Sequence, residues 1–232
     1  MRKEVIILGA IIGAVIVAGV VGSNYYRSSL QNERLATNTG GSLNRGSIDP
    51  ETLVRPDSYA LGPADARVTL VEFLDPECEA CAAFSPIVKK LLKDYDGKLR
   101  LVVRYMPLHP NSLRAAALTE AAGQQGKYWQ MQELLFARQS EWGERHGPAT
   151  ASQPKQDIDA LFEKYSIEIG LDLERVKTVV EENRFDSKIQ RDLNDGRTLG
   201  VRQTPTFFVN GRQPVRFGEA ELRALVAAEM NR

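Results

Sequence analysis

The sequence contains very few of the residues that bind metals or crosslink small domains. Among 232 residues there are only two cysteines and two histidines. A secreted domain that depended on disulfides would carry more cysteines, and a structural zinc site takes four ligands, usually Cys and His. Neither His109 nor His146 has a matching short-range spacing. These scarcities disfavour a disulfide scaffold and a metal-binding protein, so we expect no metal and no cofactor.

Net charge is also absent, because 30 Lys and Arg residues balance 30 Asp and Glu residues. Nucleic-acid-binding domains usually carry a basic surface, so we expect no nucleic-acid partner. The composition, 43% hydrophobic and 26% charged, is that of a globular chain with enough apolar residues for a core. The length suits one domain with appendages.

The two cysteines that are present lie three residues apart, as Cys78-Glu79-Ala80-Cys81. A pair at this spacing is half of a metal site, a small structural disulfide, or a dithiol that cycles with its own disulfide. A structural disulfide across so short a loop would stabilise the fold little, because the gain rises with loop length. The redox-active dithiol is therefore favoured over the other two interpretations.

Residues 5–22 form an apolar run of 18 residues that follows Arg2 and Lys3. A membrane-spanning helix needs roughly 17–25 residues, whereas the apolar part of a signal peptide usually has about 7–15. We therefore expect residues 1–4 to be a cytoplasmic tip and residues 5–22 to be a single-pass signal-anchor. A signal peptide cleaved near Gly22 is the alternative, and either segment sends the chain out of the cytoplasm.

The composition changes after the apolar run. Residues 23–57 are rich in Ser, Asn, Thr, Gly and Arg and have no persistent apolar period, which predicts a flexible linker. Residues 58–232 are then expected to form the folded domain. This arrangement would tether the domain to the outer side of the cell membrane.

Apolar periodicity in the folded part predicts an α/β domain. Val68–Leu74 is typical of a buried strand, with Glu72 as its one acidic member. A helical pattern follows Cys78 and contains Pro86, which should kink or interrupt the helix. Residues 99–106 predict a second strand, and the order strand, helix, strand implies a parallel pair.

Helical patterns dominate the next part of the chain, and strand patterns then return. Thr206–Val209 is typical of a short strand, and the following Asn210-Gly211 is a strong hairpin signal. Residues 215–217 are the predicted partner strand of this hairpin. A last helix is expected from about Glu219 to Met230.

Several residues around the cysteines resemble the DsbA-like branch of the thioredoxin superfamily. Glu72 lies six residues before Cys78, and Pro86 lies five residues after Cys81. The segments that complete the resemblance, which covers about residues 60–232, are Arg104–His109, Gly126–Trp129 and Thr204-Pro205-Thr206. The resemblance implies a thioredoxin-like fold with a helical domain inserted at about residues 110–200, and thiol–disulfide oxidoreductase activity.

The resemblance also assigns roles to single residues. Cys78 matches the attacking cysteine and Cys81 the resolving one, while Glu72 matches a buried acid under the active site. Burial would raise the pKa of Glu72, which suits a proton acceptor for Cys81; the alternative is that Glu72 lies on a solvated face of its strand. Pro205 matches a cis proline that faces the cysteines, and Thr204 and Gln203 beside it would contact the substrate. The implied partners are exported cysteine-containing proteins and a membrane redox protein that regenerates the disulfide.

The chain departs from the family pattern between its two cysteines. Family members often have proline with an aromatic residue or histidine there, whereas this chain has Glu79-Ala80. The acidic Glu77 and Glu79 flank Cys78 and should oppose its thiolate. We therefore predict a weaker oxidant than the strongest members of the branch. Oxidase, isomerase and reductase directions remain open, as does a redox-inactive metal- or client-binding module.

Overall fold

The structure is a computed structural model that describes Ile48, residues 50–144 and residues 157–232. The predicted tip at residues 1–4, the predicted anchor at residues 5–22 and most of the predicted linker lie outside the described residues. Within the part that is described, no helix combines the length and the apolar character needed to cross a membrane.

One mixed β-sheet forms the centre of the described part of the chain. Its strands are β1 (Ala60–Leu61), β2 (Val68–Leu74), β3 (Leu99–Tyr105) and β4 (Thr206–Val209), in the order β1-β3-β2-β4. Strands β2 and β3 are parallel, while β1 and β4 pair antiparallel to their neighbours. The predicted parallel pair with a crossover helix is therefore confirmed.

Helices cover both faces of this sheet. They are α1 (Pro50–Leu53), α2 (Glu79–Asp94), α3 (Ser112–Gly123), α4 (Tyr128–Ala137), α5 (Gln139–Trp142), α6 (Ile158–Glu168), α7 (Leu173–Glu181), α8 (Asp186–Thr198) and α9 (Glu219–Met230). Helices α3 to α8 lie between β3 and β4 and form a helical insertion, as the resemblance implied. Helix α2 connects the two parallel strands and carries the cysteine pair at its beginning.

Alternate residues of β2 enter two different cores, as the pleat of a strand requires. Leu70 and Leu74 pack with helices α2 and α9 in the core that also contains Cys81. Val71 and Phe73 pack on the other face against Leu193 of α8. Glu72 alternates with Val71 and Phe73, so the acidic residue lies on the same face as Cys81.

Two local details differ from simple expectation. Helix α2 continues through Pro86, so the proline does not interrupt it; its buried residues Phe84 and Val88 pack on the core, which offsets the roughly 3 kcal/mol that an internal proline costs. The partner strand expected at residues 215–217 does not form. Pro214 has no N–H to donate to a ladder, and Val215 is 97% exposed.

The folded domain also begins earlier than the predicted boundary at residue 58. Leu53 of α1 is buried against the α8 side of the sheet. The carbonyl oxygens of Thr52 and Leu53 accept hydrogen bonds from the buried Arg104 guanidinium at 2.7 and 2.8 Å. Residues that were expected to be linker therefore supply backbone contacts to the core.

Candidate active site

Cys78 occupies the N-cap position of α2, at the point where the chain leaves β2. Its backbone is extended, with φ −75° and ψ 120°, while Glu79 is the first helical residue. The first N–H groups of a helix have no partner within the helix and carry a partial positive charge. The Cys78 sulfur is therefore placed where negative charge is stabilised, although the residue as a whole is only 9% exposed.

The pKa of Cys78 is lowered to about 5. The largest cause is the Cys81 thiol, which donates a hydrogen bond to the Cys78 sulfur, and it outweighs the opposing effect of burial. The Thr204 hydroxyl and the backbone N–H groups of Cys81 and Ala80 act in the same direction. Cys78 is therefore a thiolate at neutral pH.

Cys81 and Glu72 lie beneath Cys78 and behave in the opposite way. Burial raises the pKa of Cys81 well above its usual value, and its hydrogen bond to Cys78 and the charges of Glu72 and Cys78 add to this. Glu72 is 3% exposed, and burial followed by the Cys78 charge raises the pKa of Glu72 to about 8. The solvated-strand alternative for Glu72 is thus excluded, and both groups hold their protons at neutral pH.

The loop before β4 faces the cysteine pair from the other side. The Thr204–Pro205 peptide bond is cis, and the Cys78 sulfur lies 3.3 Å from the Thr204 carbonyl oxygen. That carbonyl accepts only from the protonated thiol, so it opposes the groups that stabilise the thiolate. Gln203 is exposed, and its carbonyl accepts a hydrogen bond from the Thr206 hydroxyl at 2.7 Å.

An open groove of about 240 Å³ runs beside this loop. One side is formed by Gln203, Pro205 and Thr206, and the other side by Pro214 and Phe217. Phe217 is half exposed and packs against Phe84 of α2, with ring centroids 4.7 Å apart. The groove therefore presents backbone edge and apolar surface next to Cys78, which suits an extended peptide.

Sequence reasoning missed Asp75, which is fully buried between the end of β2 and the cysteines. Its carboxylate accepts hydrogen bonds from the N–H groups of Glu77, Leu108 and His109 and from the Ser112 hydroxyl. Its own N–H lies 3.5 Å from the Cys81 sulfur. The position of Asp75 after an apolar strand was the available signal in the sequence, but all of its partners except Glu77 lie more than 30 residues away.

His109 is brought to the site by the same network. Its Nδ1 lies 2.7 Å from the Asp75 carboxylate. Burial alone would lower the pKa of His109, but the hydrogen bond and charge of Asp75 raise it, and the charges of Cys78 and Glu77 add to this. A histidine thus lies within electrostatic range of the thiolate although none stands between the cysteines.

The residues that were predicted to tune the redox behaviour of Cys78 lie in different environments. Glu77 is buried, and its carboxylate accepts hydrogen bonds from the N–H groups of Asn111 and Glu144 at 2.6 and 2.7 Å. Glu79 is exposed at the first position of α2, while Ala80 is half-buried against the core. Glu77 is therefore compensated by donors, and Glu79 is open to solvent screening.

Comparison with known proteins agrees with this arrangement. The profile of the family described as Thioredoxin matches residues 55–228, which is most of the chain. Among curated relatives, the Na(+)/H(+) antiporter NhaA 3 of Salinispora tropica is 37% identical over 190 residues, which cover 80% of this chain and 26% of that protein. The antiporter NhaA of Herminiimonas arsenicoxydans is 34% identical over 72% of this chain and 24% of its own length. This chain spans about a quarter of these relatives, so their transport activity is not carried over to it.

Solved structures resemble the whole folded domain. A thioredoxin-like oxidoreductase from Silicibacter pomeroyi has a TM-score of 0.64 at 26% identity, covering 80% of this chain and 99% of its own. BdbD from Bacillus subtilis has a TM-score of 0.65 at 23% identity, covering 81% and 97%. The thiol–disulfide exchange protein α-DsbA2 from Wolbachia pipientis has a TM-score of 0.62 at 20% identity, covering 77% and 90%. The chain belongs to the thioredoxin family, and its domain has the DsbA-like form of that fold.

Proposed function

We propose that this protein is an extracytoplasmic thiol–disulfide oxidoreductase that oxidises or isomerises cysteines of exported proteins through Cys78 and Cys81. The observation that carries the proposal is the opposite behaviour of the two sulfurs. Cys78 is a stabilised thiolate at a helix N-terminus, whereas Cys81 is a buried thiol beside the protonated Glu72. This asymmetry suits a pair in which one sulfur attacks and leaves while the other resolves.

The reaction begins with the Cys78–Cys81 disulfide. A client thiolate attacks the Cys78 sulfur, the Cys78–Cys81 bond breaks, and Cys81 leaves as a thiolate that takes the proton of Glu72. A second client thiolate then attacks the client sulfur of the mixed disulfide, and Cys78 leaves as its stabilised thiolate. The client loses two electrons and gains a disulfide, while the protein gains the same two electrons as a dithiol.

The stability of the Cys78 thiolate supports the oxidising direction. A pKa of about 5 lies between the values of about 7 for thioredoxin and about 3.5 for DsbA. A more stable thiolate makes the disulfide a stronger oxidant. We expect a potential between those of the two proteins, and a measured value near −120 mV would contradict the weaker oxidant predicted from Glu79.

A disulfide-transfer assay tests the central claim. Oxidised full-length protein mixed with a reduced client peptide should transfer its disulfide, and Cys78→Ser should abolish the transfer. When Cys81→Ser is mixed instead with a client peptide that carries a disulfide, the Cys78 thiolate should attack that disulfide, release one client thiolate and accumulate as the mixed disulfide. Transfer that survives Cys78→Ser would exclude the mechanism. Tight stoichiometric zinc binding without transfer would favour the metal-binding alternative, and a mostly reduced pair in cells, measured by thiol trapping, would favour a reductase.

The proposed location follows from residues 5–22, with a membrane redox protein as the partner that restores the disulfide. Since the chain has only two cysteines, a membrane-impermeant maleimide added to intact, mildly reduced cells should label the protein. The label should disappear in Cys78→Ser if Cys78 is the reactive sulfur. Labelling that requires cell lysis would contradict the outward orientation.

A further inference from the structure

The turn that precedes α2 is bound to both cysteines through Asp75. The Cys78 N–H donates to the Asp75 backbone carbonyl oxygen at 3.1 Å, and the Asp75 N–H lies 3.5 Å from the Cys81 sulfur. The Asp75 carboxylate also accepts the Glu77 N–H at 2.8 Å, which closes the turn from within. A side chain that binds this carboxylate is therefore fixed against the turn that carries Cys78.

His109 is the side chain that occupies this position. Its Nδ1 and its backbone N–H lie 2.7 and 3.1 Å from one oxygen of the Asp75 carboxylate, and the Leu108 N–H donates to the same oxygen at 2.6 Å. The loop after β3 is thus attached to Asp75 at three points. The His109 side chain is 29% exposed, so its ring exchanges protons with solvent. The loop presents an imidazole whose place is fixed and whose charge can change.

The charged groups around His109 favour its protonated form. Asp75 faces it from the end of β2, and Cys78 and Glu77 face it from the turn before α2; together they raise the pKa of His109 against the opposing effect of burial. The contact from α3 is the uncharged Ser112 hydroxyl, which accepts the His109 N–H at 3.3 Å. Because the coupling of two charges is mutual, a His109 cation stabilises the Cys78 thiolate in return.

We propose that protonated His109, held by Asp75, is a cation that stabilises the Cys78 thiolate from outside the Cys-x-x-Cys segment. The inference deepens the proposed function and rests on it. The oxidised pair has no thiolate, so the His109 cation favours the reduced protein and makes the disulfide a stronger oxidant. The Cys81 thiol has the largest effect on Cys78, so His109 adjusts the thiolate rather than creating it.

Reciprocity gives the first test, which uses wild-type full-length protein. Removing the Cys78 thiolate by oxidation should lower the pKa of His109, so the ring should titrate at higher pH in the reduced protein. NMR of protein labelled at histidine measures both states. The chain contains two histidines, and the signal that is lost in His109→Asn belongs to His109.

The second test removes the charge and keeps the hydrogen bond. His109→Asn retains a side-chain N–H near the place of Nδ1. At about pH 6, where His109 is protonated, the midpoint of Cys78 alkylation by iodoacetamide should rise by about half a pH unit. The equilibrium with glutathione should move about threefold toward the oxidised protein. Both changes should fade as the pH rises through the pKa of His109, because the wild-type ring then loses its charge.

Two variants separate this effect from net charge and from damage to the loop. Lys93→Asn removes an exposed cation from the last turn of α2, about 22 Å from Cys78 at 1.5 Å per helical residue. This distance exceeds the screening length of physiological salt, so the alkylation midpoint should not move. His109→Lys restores a cation and should keep the midpoint near the wild-type value at high pH as well.

Equal titration of His109 in the oxidised and reduced wild-type protein would overturn the proposal. So would an unchanged alkylation midpoint in folded His109→Asn, or a shift that Lys93→Asn reproduces, since net charge would then be its cause. If His109→Asn does not fold, the wild-type comparison still decides. Failure of wild-type protein to oxidise any client would instead overturn the proposed function, and the NMR titration would still show whether His109 acts on Cys78.

Discussion

Arg104 and Glu72 are buried on opposite faces of the central sheet, at neighbouring positions. The charge of Arg104 is compensated by its partners, whereas Glu72 keeps a proton. Arg104 of β3 pairs in register with Phe73 of β2, and Glu72 is the next residue of β2. The Arg104 guanidinium meets the carboxylates of Asp192 and Asp195 at 2.9 and 2.5 Å and two backbone carbonyls of the N-terminal segment. The Glu72 carboxyl lies beside the two cysteine sulfurs, and burial followed by the Cys78 charge raises its pKa to about 8.

The difference distinguishes a structural site from a reactive one. A buried ion whose charge is compensated keeps that charge and fixes the segments that compensate it. A buried acid without a compensating cation keeps a proton instead, and that proton becomes available to a neighbouring group. Burial of a charged residue therefore says little about function until its partners are known.

Removing Arg104 should have the largest effect on stability. Arg104→Met leaves the buried Asp192 without its main partner and Asp195 with Arg55 alone, which we expect to cost about 3–5 kcal/mol of unfolding free energy. Urea unfolding measures this loss, and Arg184→Met, which removes an exposed pair with Glu182, should cost under about 1 kcal/mol. Equal losses in the two variants would show that the buried pair does not hold the α8 face together. Cys78 reactivity should persist in folded Arg104→Met protein.

Replacing Glu72 should change both the rate and the pH dependence of stability. Between the ordinary pKa of 4.5 and the folded value of about 8, the unfolded chain releases a proton that the reduced folded protein keeps. The contribution of Glu72 is therefore fully present below about pH 4.5 and is lost as pH rises through about 8. Reduced Glu72→Gln should match wild type near pH 4 and exceed its unfolding free energy near pH 8, by on the order of a few kcal/mol.

The same variant should slow the step in which Cys81 exchanges its proton by about 100-fold, measured by single-turnover client oxidation. Cys78→Ser provides the matched comparison because it removes transfer altogether. A stability difference that stays constant from pH 4 to pH 8 would mean that Glu72 is ionised in the folded protein. The contrast with Arg104 would then no longer hold.

The smallest effect is expected from replacing Glu79, an exposed acid beside Cys78, and it concerns the reduction potential. Glu79→His replaces the acid at the first position of α2 and should raise the reduction potential, because a cation there favours the Cys78 thiolate. Solvent screening limits the rise to less than about 30 mV, a tenfold change in the equilibrium with glutathione. Asp94→His at the far end of the same helix should leave the potential unchanged. A fall in potential would contradict the predicted tuning role of Glu79.

Local patterns predicted the elements that carry the site, but packing changed several details. The strand at Val68–Leu74 and the last helix from Glu219 to Met230 were visible because apolar spacing is a local property. The continuation of α2 through Pro86 could not be read from the local pattern, because it depends on the packing of Phe84 and Val88 on the core. The network of Asp75 and Glu77 with Asn111 was not visible, because it joins loops that approach only when β2 and β3 pair.

By itself, the sequence determined which chemistry is available: one Cys-x-x-Cys pair, an acid on an apolar strand six residues earlier, and a Thr-Pro segment far along the chain. It determined this because residue type and spacing fix reactivity and local structure. Only the tertiary structure decided the ionisation states, because these depend on burial and on neighbours that are distant in sequence. The Cys81 thiol, the Thr204 hydroxyl and the N–H groups at the helix N-terminus stabilise the Cys78 thiolate, while burial keeps Cys81 and Glu72 protonated.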